Sequence, residues 1–180
     1  VYYGDEIGMR FIDGLPNKEG SQLTKGNRAG SRTPMQWDSS DNAGFSSGSS
    51  SSLYLPLDSL TDRPTVEQEK KDPSSLLLFT KELIALRGKY AALGNRGEIK
   101  FLQSKENQYP LIYERRLGKE AFIIVINPSG KSAFVSLDYD RVVQKVFPVL
   151  NSSKHKIIDY KNKQLKISAE PLSYGIYQIY

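Results

Sequence analysis

Ser31-Arg32-Thr33-Pro34-Met35-Gln36-Trp37-Asp38, running on to Asn42-Ala43-Gly44-Phe45, is the stretch on which the fold turns. It holds the single tryptophan of the chain and an arginine beside a Thr-Pro turn, in a polar loop. Such a mixture suits contact with a sugar. A planar ring can cover an apolar sugar face, and a guanidinium donates several directed hydrogen bonds to hydroxyls. Each residue also has a plainer reading. A lone tryptophan is by default a core residue. Arg28 and Arg32, four apart in a glycine-containing loop, read on spacing alone as surface ion-pair members; the alternative is an anchored arginine lining a cleft.

Outward from this run, residues 1–52 are irregular. Val1-Tyr2-Tyr3 is strand-prone, and Gly4, Gly8, Gly14, Pro16, Gly20, Gly26, Gly30 and Pro34 then break any period. A loop this long inside a compact domain is uncommon and is usually functional or disordered. The serine run from Ser46 to Ser52 has low complexity and reads as a flexible tip. Residues 72–90 read as a helix, with Asp72 as N-cap and Pro73 at the first helical position. Leu76, Phe79, Leu83, Leu86 and Tyr90 recur on one face, with Ile84 beside them. From residue 98 the period switches to two. Strands are expected over 98–103, 109–116, 119–127, 131–138, 142–149, 155–160, 163–169 and 174–180, with turns at 105–107, 117–119, 127–130, 151–152 and 161–162. Short strands at this spacing predict an antiparallel β-sandwich of Greek-key type.

The chain of 180 residues has a net charge of +5 and 38% hydrophobic residues, enough for a real core. Its basic surplus is spread: Lys154, Lys156, Lys161, Lys163 and Lys166 alternate with apolar residues, as on the solvated face of a sheet. A nucleic-acid partner is not expected. No apolar run approaches the roughly 20 residues of a membrane span, and no membrane partner is expected. With no cysteine, disulfides and thiolate metal sites are excluded. The chain opens on Val1 with no leader, and reads as a protein cut through its middle.

A complete catalytic set is missing. A glycosidase needs two carboxyl groups about 5–9 Å apart across one gap. Asp5 and Glu6, as neighbours on an extended segment, would point to opposite sides, so one of them is read as structural. Asp38, Asp41 and Asn42 read as a hydrogen-bonded turn rather than a cation site. His155, the single histidine, falls in a strand, which disfavours a Ser-His-Asp triad or a histidine metal site. There is no phosphate loop or dinucleotide fingerprint, and neither metal nor cofactor is expected.

Val1-Tyr2-Tyr3-Gly4-Asp5-Glu6-Ile7-Gly8-Met9, Arg32 to Asp38, Asn42 to Ser46 and Asp72-Pro73-Ser74-Ser75-Leu76-Leu77 closely resemble the alpha-amylase family of glycoside hydrolases, in the branch of alpha-glucosidases, oligo-1,6-glucosidases and trehalose synthases. The resemblance implies a mostly β chain: an antiparallel Greek-key β-sandwich preceded by the last strand, long loop and last helix of an incomplete (β/α)8 barrel. Residues 1–95 would be the barrel remnant and 96–180 the sandwich. Active sites of such barrels lie at the C-terminal ends of the strands, which puts the long loop at the mouth of a site. By the same resemblance Arg32 helps hold the nonreducing glucose, Arg28 is a second basic residue of that loop, Glu6 is mainly structural, and Trp37 packs the loop near the site. The aspartate nucleophile and glutamate acid/base of the family have no counterpart in this sequence.

The implied parent is a retaining enzyme acting on maltose, isomalto-oligosaccharides or related alpha-glucans, with the missing barrel half as partner, a cytoplasmic location, and no activity in this chain alone. One alternative is a trehalose synthase. Another is a non-catalytic β-sandwich that binds carbohydrate or simply packs, although no exposed aromatic trio is expected there.

Overall fold

The computed structural model describes residues 1–16, 18, 28–152, 155–161 and 163–180, the side chains of 155–159 and 161 excepted. Gly20, Gly26, Lys154 and Asn162, singled out in the sequence, lie outside the described residues. The chain forms two compact units, Val1–Ile84 and Ala85–Tyr180.

Turns build most of the first unit. Val1-Tyr2-Tyr3 joins none of the described ladders, and a strand exists only where a neighbour takes up its N–H and C=O groups. Gly4 (φ 89°) instead leads into a 3-10 turn, Asp5–Ile7. A Cβ at Gly4 would stand 2.6 Å from Met9 Sδ, so both backbone and space require glycine. Asp5 and Glu6 therefore lie on a turn, not on the extended segment expected. Asp5 Oδ2 accepts from Tyr2 N and Glu6 Oε2 from Gly4 N, both at 2.8 Å.

Two helices follow, α1 (Val66–Lys71) and α2 (Leu76–Lys89). The helix expected over 72–90 thus begins later. Pro73 holds Asp72 in extended backbone (ψ 111°), and the Asp72 carboxylate closes a turn on Ser74 N and Oγ at 2.8 and 2.7 Å. Ser75 takes the capping role, its Oγ accepting from Leu78 N at 3.2 Å. The expected apolar face is buried in part: Phe79, Leu83, Leu86 and Tyr90 are half-buried, and Leu86 and Tyr90 pack against Ala92, Leu93, Phe122 and Ile124. Leu77 enters a core with Ile7, Met35 and Val66, whereas Leu76 and Ile84 are exposed. Among the described residues no helix is long and apolar enough to cross a membrane.

The second unit is an antiparallel sandwich of eight strands: β1 (Glu98–Gln103), β2 (Leu111–Leu117), β3 (Glu120–Asn127), β4 (Ala133–Asp138), β5 (Val146–Asn151), β6 (His155–Lys161), β7 (Gln164–Ala169) and β8 (Ser173–Ile179). One sheet runs β1-β2-β3-β8-β5 and the other β4-β7-β6. Ile123 and Val125 of β3 meet Leu165 and Ile167 of β7 in the core, together with Tyr177 and Ile179. Phe122 and Ile124, on the opposite face of β3, bury against Ala92 and Leu93. Covered on both faces, β3 reads as a continuous apolar run instead of an alternation. His155 lies on β6, as expected.

Candidate functional site

The Arg32–Trp37 motif has a buried middle and two ends at a cavity. Thr33, Met35 and Gln36 are buried, and Met35 packs with Ile7, Val66 and Leu77. The carbonyls of Gln36 and Trp37 accept the first N–H groups of α1, from Val66 at 3.0 Å and Glu67 at 2.9 Å. Thr65 Oγ1 accepts the third, from Gln68 at 3.2 Å. Three of the four donors that a helix start leaves open are thereby met. Gln36 Nε2 also donates to Pro64 O at 2.6 Å. The motif is a keel for α1, and this fixes where its ends stand.

Those ends border a cavity of about 450 Å³, which gathers Glu6, Arg32 and Trp37 with Tyr3, Phe45 and Tyr54. Arg32 is half-buried. The Tyr3 hydroxyl donates to Thr33 O at 2.9 Å. Burial, and then the neighbouring Tyr2, hold the Tyr3 hydroxyl above the ordinary tyrosine pKa, while the Arg32 charge pulls it the other way. Arg28 is exposed and is not among the residues bordering the cavity. It supports the loop through its carbonyl, which accepts from Ser31 N at 3.1 Å and Ser31 Oγ at 3.0 Å.

Trp37 corrects the core reading: it is 49% exposed. Phe45 and Tyr54 are 50% and 59% exposed, and neither was singled out for the site. A signal for Tyr54 was present in Leu53-Tyr54-Leu55. Successive side chains of an extended segment point to opposite sides, so a buried Leu55 turns Tyr54 outward.

The loop carrying Trp37 and Phe45 is held by an unusual backbone. Asn42 and Ala43 both have left-handed φ, 52° and 53°, and Ala43 is fully buried. The N–H groups of Trp37 and Asp38 converge on Ala43 O at 2.8 and 3.3 Å. Asp38 closes the expected turn, accepting from Ser40 Oγ and Ser40 N; these two bonds, the side-chain one first, hold its carboxyl below the usual range. The serine run forms defined turns. Asn42 Nδ2 donates to Ser46 O and Gly48 O at 3.0 and 2.7 Å. Ser50–Ser52 form a 3-10 turn whose N-cap, Ser49, accepts from Ser51 N.

Among the described residues bordering the cavity, Glu6 is the one carboxylate, and it is engaged by Gly4 N. Glycoside cleavage needs two. No cluster of three or more metal-binding side chains occurs among the described residues. On the sandwich, exposed aromatic rings occur singly and as one pair, Phe147 with Tyr180 at 5.7 Å between ring centres. Phe101 on β1 and Phe147 on β5 stand on the two edge strands of one sheet.

Residues 1–96 match the family described as "Alpha amylase, catalytic domain". A trehalose synthase from Thermus thermophilus is 36% identical over 135 residues, covering 72% of this chain and 13% of that protein. The human amino acid transporter heavy chain SLC3A1 is 34% identical over 138 residues, covering 76% of this chain and 19% of that protein. A solved isomaltulose synthase variant from Erwinia rhapontici NX5, in complex with its natural substrate sucrose, superposes with a TM-score of 0.67 at 29% identity, covering 85% of this chain and 26% of that one. The chain thus spans 13–26% of the length of these proteins. The match over more than half of its length, on the motif that borders the cavity, means that the chain belongs to the alpha-amylase family of glycoside hydrolases.

Proposed function

We propose that this chain is one wall of the active site of an enzyme that cleaves or transfers alpha-glucosidic bonds, in maltose, isomalto-oligosaccharides or related alpha-glucans. One observation carries the reading: Arg32 and three exposed rings share a cavity whose single carboxylate is already bonded to backbone. The cavity has what sugar binding needs and lacks the pair that bond cleavage needs. Arg32 donates to hydroxyls of the terminal glucose, Glu6 holds the turn beneath it, and Trp37 lies alongside. Arg28 acts on the loop and not on the sugar.

The catalytic carboxylates then come from protein outside this chain. One forms a glucosyl ester and the other protonates the leaving oxygen. Water completes hydrolysis; a sugar hydroxyl completes transfer. Residues 1–95 belong in this reading to a barrel and 96–180 to the sandwich that follows it. Val1, Tyr2, Leu76 and Ile84 are exposed, and a second concavity of about 440 Å³ borders Val1, Tyr2, Leu77 and Ile84. Such apolar surface suits the neighbouring barrel elements.

Incubation of the longer protein with maltose tests the reading. Glucose as product supports hydrolysis, and trehalose supports an intramolecular transfer. A second reading rests on the similarity to an amino acid transporter heavy chain: a parent that serves a transporter and does not act on maltose. Maltose left unchanged by folded protein would favour it.

A further inference from the structure

Tyr54 and Leu55 border the Arg32 cavity, yet they belong to a stretch between Ser52 and Val66 that carries neither helix nor strand. Something other than a backbone ladder must keep them there. We infer that the Arg10–Asp58 ion pair is the latch that holds this wall of the cavity, which makes Arg10 and Asp58 positioning residues for substrate binding. The inference rests on the alpha-glucoside reading and extends it to two residues that act on the cavity only through others.

Both halves of the latch are anchored. Arg10 follows Met9, whose N–H donates to Gly4 O at 2.9 Å and whose side chain packs against the core of Ile7, Met35, Val66 and Leu77. Arg10 is thus rooted in the turn that carries Glu6. Its Nε donates to Asp58 Oδ2 at 2.8 Å. The Asp58 side chain is 8% exposed; its Oδ1 accepts from Leu60 N at 3.0 Å, and its carbonyl accepts from Arg63 Nη1 at 3.1 Å. Arg10 Nη1 also reaches Asp62 Oδ1 at 3.0 Å, but that carboxylate is 77% exposed, where an ion pair contributes little. Asp58 is the decisive half, because a buried carboxylate deprived of its cation is costly. An irregular stretch relieves that cost by carrying the carboxylate out to water, and Leu55, buried just upstream, moves with it. The cavity then loses a wall while the buried Thr33, Met35 and Gln36 beside Arg32 stay in place.

Steady-state kinetics of the longer protein on maltose, with hydrogen exchange on the same variants, test the latch. Arg10→Met keeps the stem and removes the charge; it should raise KM about tenfold and change kcat by less than about threefold. Asp58→Asn should behave alike, and Arg10→Lys, which restores the charge without the fork, should recover part of the loss. Asp62→Asn should leave KM within about twofold of its starting value. In Arg10→Met, exchange should quicken at Leu55 N and at Leu60 N, which bonds Asp58 Oδ1, and stay slow at Trp37 N, which bonds Ala43 O. An unchanged KM in folded Arg10→Met protein would overturn the positioning role, whether or not exchange quickens, and would leave the alpha-glucoside reading standing. If the unaltered protein leaves maltose unchanged, that reading fails by itself. Exchange then decides the latch: quickened at Leu55 and Leu60 it holds, and unchanged there it is overturned.

Discussion

The Tyr3 hydroxyl donates to the carbonyl of Thr33 at 2.9 Å, across thirty residues of sequence. It ties the N-terminal turn to the motif and places Tyr3 beside Arg32 at the cavity. Tyr3→Phe keeps the ring and removes the bond. Loss of about 1 kcal/mol is expected, measured by urea unfolding, together with altered Trp37 fluorescence in the folded state.

Gly44 sits at φ +67°, and a Cβ there would lie 2.6 Å from Asp38 Oδ2. Gly44→Ala should therefore destabilise the first unit by more than the roughly 1 kcal/mol of an unfavourable φ alone. Hydrogen exchange at Trp37 N and Asp38 N, both bonded to Ala43 O, should quicken. Unchanged exchange would mean that the left-handed pair does not brace the loop.

The sandwich contains a buried network whose pH response can be given a sign. Glu114 is 2% exposed and accepts from Arg116 Nε at 2.5 Å and from the Tyr139 hydroxyl at 2.9 Å. Burial, with the Glu114 charge adding to it and Arg116 opposing, pushes the Tyr139 pKa from 10.0 to about 12. The folded state thus holds the proton more tightly than the unfolded one. Stability from this group is fully present below pH 10 and is lost as pH rises toward about 12. Tyr139→Phe should cost about 1.5–3 kcal/mol at neutral pH and flatten that alkaline decline. Glu114→Ala should cost more, about 3–5 kcal/mol, because it leaves Arg116 without its buried partner.

Thr65 is the N-cap of α1, its Oγ1 accepting from Gln68 N. Thr65→Ala should cost about 1 kcal/mol. Because Val66 N and Glu67 N bond the motif's carbonyls, the Trp37 emission should shift as well; a loss of stability with no shift would separate α1 from the cavity.

The sandwich was legible because its strands bury one face or both and are separated by turn residues. Leu165 and Ile167 alternate with exposed Gln164 and Lys166 on β7, and all eight expected ranges contain an observed strand or overlap one. The first unit was less legible because hydrogen bonds, and not periodicity, shape it. Thr65-x-x-Gln68 was a readable capping signal, but a six-residue helix has no stripe to announce it. The turns of the serine run were not legible because they depend on the side chain of Asn42, just before the run, bonding the carbonyls of Ser46 and Gly48. Residue type alone speaks for a buried Trp37, and only the resemblance put it near the site; here its carbonyl serves α1 and its ring is left at the cavity. Arg32 and Glu6 were placed by resemblance to a family, and the cavity brings both to one place.

The central claim is that Arg32 holds the substrate glucose. Steady-state kinetics of the longer protein on maltose, before and after Arg32→Ala, test it most directly. Loss of one charged hydrogen-bonding group should lower kcat/KM by about 10- to 100-fold, with the thermal unfolding midpoint little changed. Unaltered kcat/KM in a folded Arg32→Ala protein would contradict the account.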